Sequence, residues 1–137
     1  MKRLSYRDID KVYSLTPEQT NIRSKLIDGI SMSLINEAWS EFYSKVIDEV
    51  DQTIEEHLTP IIQSNPIYKK VKELDALWDK FDLEVKQGKR PSAEADRISD
   101  EGYAAEQELE EYKKELKQNM EPIRNAMIAQ VIDWKVD

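Results

Sequence analysis

Few residues in this chain could do chemistry. His57 is the only histidine and sits in Glu55-Glu56-His57. A carboxylate-bridged metal site in a helical bundle takes Glu-x-x-His from each of two helices. The residue three before His57 is Ile54, so that pattern is absent and no metal is expected. A single imidazole near a helix C-terminus more simply stabilises the helix end. Carboxylates recur at helical spacing, Asp48 with Asp51, Asp75 with Asp79, Glu106 with Glu110 and Glu111 with Glu115. Glycosidase-type catalysis needs two carboxylates lining a cleft, one with a raised pKa. Nothing in the pattern marks a cleft, and the pairs read as solvated helix faces. The chain has no cysteine and only three glycines, which excludes disulfides, thiolate metal sites and glycine-rich phosphate loops. The sequence therefore predicts a non-enzyme with no catalytic residue, no cofactor and no small-molecule substrate.

Charge narrows the choice of partner. The net charge is −8, and the segment from Pro91 to Tyr112 holds eight acidic residues against the single basic Arg97. An acidic chain does not bind nucleic acid directly, because that requires Lys and Arg to replace counterions. Evenly spaced carboxylates on a helix can instead imitate a nucleic-acid backbone and occupy a basic channel. Glu94, Asp100, Glu101, Glu108 and Glu111 are the candidates for such a face. The plainer role for these charges is solubility. No apolar run reaches the roughly 20 residues that span a bilayer, and the N-terminus lacks the apolar stretch of a secretory signal. The expected setting is cytoplasmic, or a virion if the chain is phage-encoded.

The elements that must position any site are helical. Leu, Ile, Val and Phe make up 33 of 137 residues, enough for a thin core. Ser5 can cap a short helix over 5–14. Thr16-Pro17-Glu18-Gln19 is a capping box with proline at the first helical position. From there Ile22, Leu26, Ile30, Leu34, Ala38, Phe42, Val46, Val50, Ile54 and Leu58 recur at every fourth residue, widened by Ile27, Ile35, Trp39 and Ile47. This predicts a helix over 17–58, weakened at 29–33, that is disturbed at Thr59-Pro60. Asn65-Pro66 starts another helix. Its seam of Ile67, Val71, Leu74, Trp78, Phe81 and Val85 follows heptad spacing. Gly88 ends it, and Ile98, Gly102, Ala105, Leu109, Tyr112 and Leu116 form a second heptad seam. Folded about Pro91 and Ser92, helices 66–88 and 92–119 predict an antiparallel coiled-coil hairpin. It sets Phe81 against Gly102, Trp78 against Ala105 and Leu74 against Leu109, large against small. Pro122 separates a last helix over 122–135. The predicted fold is all-α: one domain in which a long N-terminal helix packs on the hairpin, with a C-terminal helix added.

This arrangement leaves apolar surface over. A helix over 17–58 would be about 63 Å long, against about 34 Å for a hairpin arm. Ile22, Leu26, Ile27, Ile30, Leu34 and Ile35 then lack an obvious partner within the chain. Either the helix breaks near 29–33 to give a compact bundle, or the stripe meets another molecule. The second outcome is favoured, because apolar surface of this extent marks an interaction site. Trp134, flanked by Met127 and Val131, would add a second contact face. The expected function is protein–protein interaction with another protein or with a second copy, as an adaptor, assembly factor or structural component such as phage and viruses often encode. The alternative is an acidic inhibitor acting through the 94–111 face.

Overall fold

The structure is a computed structural model and describes residues 6–136; Ser5, the expected first cap, lies outside them. Five α-helices and a 3-10 turn account for most of the described chain, with no strand among those residues. They are α1 (Tyr6–Val12), α2 (Pro17–Ile27), the 3-10 turn Met32–Asn36, α3 (Trp39–Ser64), α4 (Pro66–Lys86) and α5 (Ser92–Val136). The fold is all-α, as the periodicity predicts. Two compact units share these helices. Unit 1 takes the chain up to Leu58 and again from Lys117, and unit 2 takes Thr59–Leu116.

In unit 1 the local signals act as the sequence implies. Gln19 N donates to Thr16 Oγ1 at 3.1 Å and Thr16 N to Gln19 Oε1 at 2.9 Å, completing the capping box of α2. The end of α1 was not legible. Ser14 adopts a left-handed φ of 57°, with Leu15 N bonded to Asp10 O and Ser14 N to Lys11 O, a Schellman ending built without glycine. Asp10 is buried there and accepts two bonds from the buried Arg23 guanidinium, at 2.9 and 2.7 Å. This forked pair fixes α1 on α2. Removing either member would strand the other's charge, at a cost of about 3–5 kcal/mol.

The expected helix over 17–58 is not continuous. It stops at Ile27, and the chain passes through Gly29 and the 3-10 turn before α3 begins at Trp39. Ser31 stabilises the break from both sides: its hydroxyl accepts from Ser33 N, and its own N–H donates to the Glu49 carboxylate of α3. The reversal turns Ile30 and Leu34 inward, where both are buried with Phe42, Val46, Val50, Ile54 and Leu58 of α3. The predicted boundaries near both prolines are also corrected. α3 runs on through Pro60 to Ser64, and α5 continues through Pro122, so 92–119 and 122–135 form one helix. A proline deprives only the carbonyl four residues earlier. Those carbonyls belong to Glu56 and Gln118, both exposed residues whose backbone water can satisfy.

Unit 2 is the antiparallel helical hairpin of α4 and α5 with the end of α3. Asn65 Oδ1 caps α4 by accepting from Ile67 N at 2.9 Å. α4 ends in a Schellman motif, with Gly88 at φ 71°, Gly88 N bonded to Val85 O and Lys89 N to Glu84 O. Val71, Ala105 and Leu109 form the buried core, with Ile62, Ile67, Tyr68 and Leu74 packed against them. The two predicted seams do face each other, but one heptad out of the expected register. Gly102 lies opposite Leu74, seven residues before the expected Phe81. The chain reverses at Gly88 and not at Pro91, and heptad seams match equally well after a seven-residue slip. Trp78, expected in the core, is consequently 39% exposed.

This register makes a direct prediction. A methyl group at Gly102 would lie 4.0 Å from Leu74 Cβ, an ordinary contact. Gly102→Ala should therefore raise stability by about 0.5–1 kcal/mol through helix propensity and reduced unfolded-state freedom. A register with Phe81 against Gly102 would make the same change destabilising, and urea unfolding distinguishes the two.

Candidate functional site

The residues expected to meet a partner are the core of unit 1. Leu26, Ile27, Ile30, Leu34, Met127 and Val131 are buried, and Ile22, Ile35 and Trp134 are half-buried. The stripe has the intrachain partner that length arithmetic denied it, because the break after Ile27 folds it back and the end of α5 closes over it. Three links hold that end in place. Gln19 Nε2 donates to Asn119 O at 3.0 Å, Arg124 pairs with Asp51, and Lys135 Nζ donates to Ile35 O at 2.9 Å and to Glu37 O. Lys135 thus caps the last carbonyls of the 3-10 turn with a cation.

Another row of α3 is exposed instead. Trp39, Tyr43 and Ile47, one turn apart, are 44%, 49% and 38% exposed, while the adjacent row Phe42, Val46 and Val50 is fully buried. The aromatic end of this row is packed against its neighbours. The Trp39 ring meets Phe42 edge-on at 5.3 Å and Tyr43 at 5.5 Å, and Lys135 Nζ lies 4.9 Å from its centroid. The sequence pattern counts Trp39 and Ile47 in the apolar stripe and passes over Tyr43. The available signal was that two neighbouring apolar rows on one helix are more than a single packing partner covers.

On the hairpin, the acidic face divides. Glu94 is taken up with Glu84 by Arg90, whose guanidinium also lies 3.7 Å from the Phe81 ring centroid. The two carboxylates hold the Arg90 pKa above its ordinary value. Asp100, Glu101, Glu108 and Glu111 are exposed, and none forms an ion pair with a described residue. On the other flank of α5 from Glu101 and Glu108, Trp78 and Tyr103 line an open groove of about 500 Å³ together with Leu74, Gly102, Asp75, Asp79 and Glu106.

No group of three potential metal ligands occurs among the described residues, and no described helix is long and apolar enough to cross a membrane. His57 does not mark a helix end as expected, because α3 continues for seven more residues to Ser64. It is half-buried, and burial, then the nearby Lys25 charge, lowers its pKa from 6.5. Gln130 is 1% exposed, and neither its amide nitrogen nor its oxygen is hydrogen-bonded to a described residue. No family model, no curated protein and no solved structure matches the chain.

Two expectations follow. The unfolded chain takes up a proton at His57 at higher pH than the folded one, so stability is full above about pH 6.5 and declines as pH falls below it. His57→Gln should flatten that part of a stability–pH curve measured by urea unfolding. Gln130→Met replaces an unbonded buried carboxamide with an apolar chain of similar length. It should stabilise the fold by about 1–3 kcal/mol, read as a higher Tm.

Proposed function

We propose that this chain is a non-enzymatic helical interaction module that binds another protein through the Trp39, Tyr43 and Ile47 face of α3. The observation that carries this reading is the exposure of that row beside a fully buried one. Large aromatic side chains fixed in place before binding lose little freedom on association, and Trp and Tyr are the residues most often found at the energetic centre of interfaces. One anchor per helical turn suits the apolar stripe of an amphipathic helix on the partner. Flanking charges, including Lys45 with Glu37 and Glu41, supply the polar rim such interfaces carry. A second reading, an acidic inhibitor or nucleic-acid mimic docking on a basic protein, is favoured by the exposed carboxylates Asp100, Glu101, Glu108 and Glu111, which form no ion pair with a described residue.

The test compares proteins captured from the native host by the wild-type chain and by Tyr43→Glu/Ile47→Glu, with helicity checked by circular dichroism. Both substitutions are on exposed positions and should leave the fold intact. The expected outcome is a specific protein retained by the wild type and lost by the variant, with Tyr43→Ala alone weakening its binding by more than about 1 kcal/mol. A dimer seen by light scattering that the same variant abolishes would make the partner a second copy. An unchanged set of captured proteins, with no variant-sensitive dimer, would overturn the α3 face as the site.

A further inference from the structure

The hairpin contains a worked example of guanidinium recognition. Arg90 stacks on the face of Phe81 and is gripped by two carboxylates, Glu84 from α4 and Glu94 from α5. One turn further along α4 the same ingredients recur without a cation from a described residue. Trp78 and Tyr103 are 39% and 66% exposed and border one groove. Asp75 and Asp79 from α4 and Glu106 from α5 wall it, and none forms an ion pair with a described residue. Some hairpin carboxylates do have cations, Asp82 with Lys86, Glu73 with Lys69 and Glu110 with Lys113, so the groove differs from the equally unpaired Asp100, Glu101, Glu108 and Glu111 in its two aromatic side chains. Gly102 contributes no side chain to the floor, so the groove stays open between the aromatic pair.

We propose that this groove is a receptor for an arginine side chain presented by a basic segment of a partner protein. Arginine suits it better than lysine. Its planar cation stacks on aromatic faces, and its fork of N–H donors matches carboxylates from both helices. The net charge of −7 between Pro91 and Tyr112 draws a basic segment toward α5 as a whole, and the groove then selects the side chain. The site deepens the acidic-docking reading, since it gives that face a chemically specific pocket, and it does not depend on the α3 face.

The experiment is a titration of the full ¹⁵N-labelled chain with a short oligo-arginine peptide at physiological salt, following the Trp78 indole N–H resonance. The neutral citrulline peptide and an oligo-lysine peptide serve as comparisons. The expected result is a shift of the Trp78 signal with arginine, a weaker one with lysine and none with citrulline. Asp75→Asn/Asp79→Asn and, separately, Tyr103→Ala should each weaken arginine-peptide binding about tenfold or more. Glu108→Gln/Glu111→Gln removes the same charge from the acidic face but touches no groove residue, and should weaken binding by no more than about twofold. Equal losses in the two charge-removing variants would overturn the groove and leave a diffuse acidic face. Absence of binding to the arginine peptide would overturn both.

Discussion

Burial of one row of α3 is the interaction on which unit 1 depends. Phe42, Val46, Val50, Ile54 and Leu58 form a continuous stripe that is hidden along its length, and each large side chain so enclosed contributes about 1.5–3 kcal/mol. A helix presents one such stripe to a core, and neighbours must be brought to it from elsewhere in the chain. The break between α2 and α3 brings Ile30 and Leu34, and the final turns of α5 bring Ile123, Met127 and Val131. The break is thus a requirement of burial. An unbroken helix would have carried Leu26 and Ile30 away from the α3 stripe with which they are buried. The same geometry leaves the next row, Trp39, Tyr43 and Ile47, outside, so the exposed face follows from how the core is made.

Much of this was legible because capping and periodicity are local. Thr16 with Gln19, Asn65 with Pro66 and Gly88 each announce a helix end within four residues of sequence, and each acts as read. The seams of α4 and α5 were legible for the same reason. What was not legible depends on comparing distant segments. The stripe from Ile22 to Leu58 continues at the helical period straight through the break; Gly29 marks 29–33 as the weak point, but the period does not say that the helix stops there. Pro60 and Pro122 read as helix ends, since whether the orphaned carbonyl can reach water is settled only in the folded state. The exposed aromatic row and the groove beside Trp78 were hidden because Trp is more often an interior residue, and exposure is decided by register.

The two units differ in how firmly they are held. Unit 1 encloses most of the fully buried side chains and adds the Asp10–Arg23 pair and the Lys135 cap. Unit 2 has three buried apolar residues in its central cluster, backed by half-buried ones. Opening costs scale with enclosed apolar contact, so the hairpin is the part of the molecule in which partly opened states lie closest to the native one. The aromatic row on α3, by contrast, stands on the fully buried row of unit 1.

The knot of Arg90, Phe81, Glu84 and Glu94 at the hairpin turn has a consequence for the route by which the chain folds. Repeating seams create near-degenerate alignments, each a kinetic trap that hides almost as much surface as the native one. Arg90 reaches one aromatic face and two carboxylates together only when the chain reverses at Gly88. Because every member lies within fourteen residues of sequence, from Phe81 to Glu94, the knot can close early, before the long arms zip. The contact that goes with the observed register is thus also among the most local in the hairpin.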